Sequence, residues 1–196
     1  MQLQLYGEHH VHNALAAAAL AIELGMPVAD VGAGLCVAMA RSRWRMEVTR
    51  LPDGVTVVND AYNANPDSVR AAIAALAAMA RGQRRFAVLG HMTELGDDAD
   101  RLHEQIGAQA AAAGLVGLIV VGEEAAPMLA GARSVRGWQG ELQHVPDAAA
   151  ALRTLRARLR DGDVVLVKAS HSIHLERVAL ALTGEQPLDG EAGPGS

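Results

Sequence analysis

From Asn13 to Leu24 nearly every residue favours helix, and Gly25 with Pro27 just beyond it supplies the permissive end and the stop. A second short helix is predicted from Val28 to about Met39. The apolar spacing then shortens. Met46, Val48 and Thr49, a Pro52-Asp53-Gly54 turn, and Val55-Thr56-Val57-Val58 read as two strands of a hairpin. After it strands and helices alternate. Helices are expected over about 67–80, 99–113, 123–130, 147–160 and 173–182, with strands at Phe86–Leu89, Leu118–Val121 and Val164–Val167. The runs FAVLG, LIVVG and VVLVK are short, β-branched and non-alternating, as strands buried on both faces read. The pattern predicts an α/β fold with a mostly parallel sheet flanked by helices. The stretch 133–145 is ambiguous, with Leu142–Val145 its candidate strand. From Glu185 the sequence is Gly, Pro and acidic, so 185–196 reads as a disordered tail.

With 196 residues, 51% of them hydrophobic, the chain can bury a sizeable core. Aromatics are only 3%, so that core must be Ala, Val and Leu, and alanine lets helices approach closely. The formal charge of -5 comes with no long basic run, which argues against a nucleic-acid surface. Arg153, Arg156, Arg158 and Arg160 read as the wet face of a helix. The single cysteine, Cys36, excludes an internal disulfide framework and fits a reducing cytoplasm; between Leu35 and Val37 it is expected to be buried. No secretory signal is visible, and the apolar stretch Ala14–Ala21 is far short of the roughly 20 residues a membrane span needs. A cytoplasmic chain without membrane insertion is the expectation.

Three predicted strand ends carry polar clusters. The densest is Asn59-Asp60-Ala61-Tyr62-Asn63-Ala64-Asn65-Pro66-Asp67-Ser68. In parallel α/β sheets ligands sit outside the carboxyl ends of strands, so Asp60 is placed to accept hydrogen bonds from vicinal hydroxyls and the amides after Pro66 to meet an anion. The same residues also suit turn chemistry, with Asn65 or Asp67 capping the helix and Pro66 starting it. The second cluster is Gly90-His91-Met92-Thr93-Glu94, and the third is Lys168-Ala169-Ser170-His171-Ser172. Lys168 suits phosphate or carboxylate, since a charge buried at a strand end is costly unless partnered. Ser170 and Ser172 can cap the next helix or bind a ligand. His9 and His12 share a helix face, but no carboxylate or cysteine completes a zinc set, so no metal site is assigned. The sequence contains no GxxxxGK[ST] loop, no GxGxxG after a strand and no GxSxG elbow.

The string Asn59 to Ser68, continued by Val69-Arg70-Ala71-Ala72, resembles a signature of the Mur ligases, specifically of the branch that adds D-alanyl-D-alanine to a muramyl tripeptide. Gly7-Glu8-His9-His10-Val11-His12-Asn13-Ala14-Leu15-Ala16-Ala17 resembles the wider family pattern G-x-H-N-V-x-N-A-L-A-A. Arg45-Met46-Glu47, Val88 to Gly96, and Val167 to Glu176 resemble further family elements. The resemblance covers about 7–184. It implies a Rossmann-like domain over 44–184, with an N-terminal β-hairpin, preceded by the helical end of a central ATPase domain over 1–43. It implies a monomeric ATP-dependent ligase acting on UDP-N-acetylmuramoyl-tripeptide and D-alanyl-D-alanine through an acyl phosphate. Asn13, Arg45 and Asp60 would contact ATP, Arg45 and Lys168 would serve catalysis, and magnesium ligands would belong to a segment this chain lacks. Tyr62, Asn63, Asn65, Ser68, His91, Ser170, His171 and Ser172 are the candidate substrate-binding residues. The sequence departs from the family pattern at His10, which replaces an asparagine, at His91, which replaces an acid, and at His171, which replaces an arginine. His91 and His171 are accordingly expected to face each other across the cleft. Two alternatives stand beside this reading: a non-catalytic binding or regulatory module of the same fold, and a related ligase of the folylpolyglutamate or cyanophycin type, against which the Asn59 to Ser68 string argues.

Overall fold

The computed structural model describes residues 8–38 and 43–186, with side chains from Val11 onward. Two helices come first, α1 (Glu8–Glu23) and α2 (Val28–Cys36), joined through Gly25 at φ +90, a left-handed turn that other residues adopt with strain. The hairpin follows as β1 (Glu47–Arg50) and β2 (Thr56–Asn59), paired antiparallel. Then come α3 (Pro66–Met79), β3 (Arg85–Leu89), α4 (Ala99–Ala112), β4 (Gly117–Val121), α5 (Pro127–Ser134), β5 (Glu141–Val145), α6 (Ala148–Arg156), β6 (Val164–Lys168) and α7 (Glu176–Thr183). The six strands lie in the order β1-β2-β6-β3-β4-β5, and every pair except β1–β2 is parallel.

The side-chain period of two splits the core into two layers. Val58, Leu166 and Ala87 sit in register across β2, β6 and β3 and pack beneath α3 and α4. Their neighbours Val57, Val165 and Phe86 point the other way, against Leu152 and Leu155 of α6 and Val178 of α7. With helices on both sides, the four inner strands are buried at every position except Arg85, the first residue of β3. Their apolar runs predicted that burial. The chain leaves β2 for α3 on one face and β6 for α7 on the other, so a crevice opens where neighbouring strands send their connections apart.

Several boundaries differ from the sequence reading. The helix expected at 123–130 is a 3-10 turn at Glu123–Ala125 followed by α5, which runs on through Gly131 to Ser134. Gly131 does not stop the helix because it is a contact glycine: a Cβ there would fall on the carbonyl of Glu104, and one on Gly107 of α4 on that of Met128. The expected helix 147–160 ends at Arg156, and the final helix begins at Glu176 after a 3-10 turn at His171–Ile173. The ambiguous stretch does hold a strand, one residue longer than Leu142–Val145. Cys36 is half-buried, not buried. Arg153, Arg156 and Arg160 are exposed as expected, whereas Arg158 is half-buried and pairs with Glu141. Glu185 belongs to the folded part: it accepts from Arg43 at 3.2 Å, and Gly184 closes α7 in the left-handed region. Residues 187–196 of the predicted tail and the Met39 end of the second predicted helix lie outside the described residues, as do the side chains of His9 and His10. No described helix is long and apolar enough to cross a membrane.

Candidate functional site

At the end of β6, Lys168 is only 2% exposed, so its ammonium must find partners or lose its charge. It donates to Asp60 Oδ2 at 2.7 Å, to the Asn63 carbonyl at 2.7 Å and to the Asp60 carbonyl at 3.4 Å. All three ammonium hydrogens are therefore used, and each bond ties β6 to the loop after β2. Burial pushes the Lys168 amine below its ordinary range, the Asp60 carboxylate pulls it back, and the nearby Arg45 charge lowers it again. The other carboxylate oxygen of Asp60, Oδ1, accepts the Met46 amide at 2.9 Å.

That bond belongs to a second clamp. Trp44 and Met46 both sit in the left-handed region, at φ 60 and 49, a conformation that costs a non-glycine residue on the order of 1 kcal/mol or more. The Trp44 carbonyl accepts from the Tyr62 amide at 3.1 Å, and the Trp44 amide donates to Glu47 Oε2 at 3.1 Å. Held on both sides, Arg45 is exposed and lays its guanidinium over the Tyr62 ring at 4.3 Å. Tyr62 in turn stacks on His171, 5.8 Å between centroids, and His171 stacks on Trp44 at 5.5 Å. Three separate loops thus share one pile of planar groups.

Beside the pile lies a cavity of about 430 Å³. Asn13, Arg45 and Asp60 line it, together with Tyr62, Asn63 and Lys168. So do Asn65 and Ser68, whose side chains also build the start of α3: Asn65 Oδ1 accepts the Ser68 amide at 2.8 Å and Ser68 Oγ the Asn65 amide at 3.0 Å. The capping reading of that motif is therefore correct in geometry, and it leaves the first turn of α3 open to the cavity. Met46, Asp67, Ala71 and Ala72 complete the lining and are not among the candidate binding residues of the sequence. The contribution of Met46 is a backbone amide, which its residue type does not signal. Ala71 and Ala72 follow from the helical period once Ser68 is placed.

His91, Ser170, His171 and Ser172 do not line this cavity. Ser170 caps nothing; its hydroxyl accepts from the Thr93 amide at 2.9 Å and donates to the Ala64 carbonyl at 3.4 Å, stapling the loops after β2, β3 and β6. Ser172 is exposed. His91 and His171 have different ring partners although their loops touch, with the Ser170 amide on the His91 carbonyl at 3.0 Å. The 3-10 turn carries His171 toward Tyr62 and Trp44, whereas His91 stacks on His103 of α4 at 5.0 Å. The expected facing pair is not formed.

His103 is the histidine with a defined protonation role. It is buried, Nε2 accepts the Met92 amide at 3.0 Å and Nδ1 donates to the Ala99 carbonyl at 2.8 Å, so the neutral ring fits and the cation does not. Burial lowers its pKa from 6.5, with the Ala99 bond opposing and His91 reinforcing. A depressed folded value means stability that is complete above the unfolded value of about 6.5 and lost as pH falls through the folded one. The expected loss is that of one buried hydrogen bond, about 1–3 kcal/mol. Urea melts of the chain should show it below pH 6.5, and His103→Gln, which keeps an acceptor without titrating, should flatten the response; an equal acid response in both would refute this account.

The profile of the family described as "Mur ligase, glutamate ligase domain" matches residues 44–171. The UDP-N-acetylmuramoyl-tripeptide--D-alanyl-D-alanine ligase of Mycobacterium leprae is 45% identical over 199 residues, covering 94% of this chain and 38% of that protein. The ligase of the same name from Escherichia coli K12 is 34% identical, covering 92% of this chain and 38% of its own length. Among solved structures, MurF from Acinetobacter baumannii superposes with a TM-score of 0.79 at 30% identity, over 93% of this chain and 39% of that one. MurF ligase from Thermotoga maritima in complex with ADP gives 0.74 at 28% identity, over 92% of this chain and 39% of that one. The chain thus spans 38–39% of the length of these relatives.

Proposed function

We propose, from the premise that this chain belongs to the Mur ligase family, that it supplies the C-terminal part of an ATP-dependent ligase joining D-alanyl-D-alanine to UDP-N-acetylmuramoyl-tripeptide. The observation that carries the proposal is the convergence of Asn13, Arg45 and Asp60 on one cavity from three separated segments. These are the residues that the family resemblance assigns to ATP. Their chemistry fits a nucleotide: a carboxamide for a base edge, a carboxylate for vicinal hydroxyls, and a guanidinium for phosphate. Each oxygen of Asp60 already accepts one bond and keeps a lone pair for a ligand. The relative from Thermotoga maritima, whose fold matches, is in complex with ADP.

In this reading ATP phosphorylates the tripeptide carboxyl, the dipeptide amine attacks the resulting acyl phosphate, and phosphate leaves. Arg45 offsets charge developing on the transferred group, and its seat on Tyr62 fixes where that charge is met. Lys168 acts through Asp60 and Asn63, which use its hydrogens, as a positioning residue. Magnesium would be held by the part of the relatives that this chain does not cover. The helical pair α1–α2 is assigned to the neighbouring ATPase domain, supported by the apolar side chains it leaves open, Leu20 at 67% and Val28 at 68% exposure.

Two measurements test the proposal together. The chain alone should not hydrolyse ATP, since it has no phosphate-loop lysine. Joined to the N-terminal portion its relatives carry, it should hydrolyse ATP in a dipeptide-dependent manner. There Asp60→Ala should weaken nucleotide binding by about 1–3 kcal/mol, and Arg45→Ala should lower kcat more than affinity. Turnover by the chain alone that Asp60→Ala abolishes would overturn the proposal, as would nucleotide binding by the joined protein without any dipeptide dependence.

A further inference from the structure

The turn after β6 gathers a second group of side chains, of which the ligase reading takes up only His171, as a candidate substrate-binding residue. Donor atoms of His171, His174 and Glu176 all lie within 4.8 Å of one another. Glu176, the first residue of α7, is buried, and its Oε2 has no hydrogen-bond partner. A carboxylate oxygen withdrawn from water and left unpaired is costly, so it points to a ligand. Its other oxygen, Oε1, is 3.3 Å from His174 Nδ1. His174 holds the left-handed conformation at φ 55, and its amide bonds to the His171 carbonyl at 3.0 Å. The two imidazoles, both exposed, meet edge to face at 5.6 Å.

We propose that His171, His174 and Glu176 bind one borderline divalent cation, zinc being the type case, through two imidazole nitrogens and the buried carboxylate, with a coordination position left for water. In a tetrahedral site with bonds of about 2.0–2.1 Å, neighbouring donors stand roughly 3.3 Å apart. His174 Nδ1 and Glu176 Oε1 already have that separation. The third donor, on the exposed His171 ring, lies within 4.8 Å of both. A proton shared by His174 and Glu176 would use one imidazole and one oxygen and would leave His171 without a part. Two nitrogens and a carboxylate suit zinc, nickel or copper and do not suit magnesium or calcium, which take oxygen sets. Because His171 also stacks on Trp44 and Tyr62, the ion would fix the ring pile beside the cavity.

The inference does not depend on the ligase reading and is tested on the chain as it stands. After removal of metals, calorimetric titration with zinc chloride in millimolar magnesium should give one ion per chain, and cobalt(II) should develop the intense visible bands of a tetrahedral site. In a Trp138→Phe background the bound cobalt should quench the remaining Trp44. His171→Ala and His174→Ala, both at exposed positions, should each weaken binding by about tenfold or more, and Glu176→Gln should do the same. Combined replacement of His9, His10 and His12 by alanine should leave the site intact. The proposal is overturned if zinc does not bind saturably, if magnesium displaces it, if binding survives loss of both His171 and His174, or if the N-terminal histidines account for it.

Discussion

Gly131→Ala is expected to destabilise the chain by about 2 kcal/mol, even though alanine is the better helix former by about 1 kcal/mol. Gly131 lies inside α5, and the Cβ that alanine adds would fall on the Glu104 carbonyl of α4, with the Ala108 amide also close. Those neighbours are helix backbone, so relief requires the two helices to separate. Gly107 makes the reciprocal approach toward Met128, so that movement would loosen both contacts and the buried residues Ile106 and Met128 beside them. Overpacking of this kind costs about 1–3 kcal/mol and sometimes more, which exceeds the propensity gain. A fall in Tm of several degrees follows from about 2–4 degrees per kcal/mol in a chain of this size. Gly32→Ala is the control, because nothing lies within 4 Å of the added carbon there and α2 should gain. Equal, small effects at both positions would show that α4 and α5 do not depend on close backbone approach.

The same glycines show where the sequence could be read and where it could not. Non-alternating runs such as Leu118–Val121 disclosed the inner strands because burial on both faces removes polar residues from every position. The edge strand β5 was ambiguous for the converse reason: it is covered on few positions, and Glu141, Gln143 and His144 dilute its pattern. Gly131 looks like a helix terminator in sequence and becomes a packing surface only when α4 lies across it. At the site, the acidic and amide residues of the β2 loop were legible, since polar residues at a strand end have few reasons to be there. The orientation of side chains was not. His91 and His171 stand at adjacent strand ends, yet one turns to α4 and the other to the Trp44–Tyr62 pile, a choice made by the 3-10 turn after β6. Nor could Asp60 be read as anchored by the Met46 amide, because backbone donors carry no residue signature.

Lys168→Met is expected to cost about 3 kcal/mol, because it leaves Asp60 with one lost partner and the Asn63 carbonyl with none in a part-buried setting. The cost does not mean that the charged lysine is itself stabilising. Its pKa is lowered from 10.5, first by burial, so the fold disfavours the ammonium relative to the unfolded chain. Between the depressed folded value and 10.5 the unfolded state binds more protons, and the contribution of Lys168 to stability therefore rises with pH across that window. The ion pair is better described as mutual relief: each charge is tolerated because the other is present. It follows that removing both charges should be cheaper than the single changes imply. In urea melts at neutral pH, Asp60→Asn combined with Lys168→Met should be more stable than the sum of the two single losses predicts, by about 1 kcal/mol or more. The alkaline rise expected of the parent chain should be reduced in Lys168→Met. Additive single losses would show that Lys168 and Asp60 are neighbours without coupling, with Asp60 oriented in the cleft by the Met46 amide; an unchanged alkaline response would show that burial does not depress the Lys168 amine.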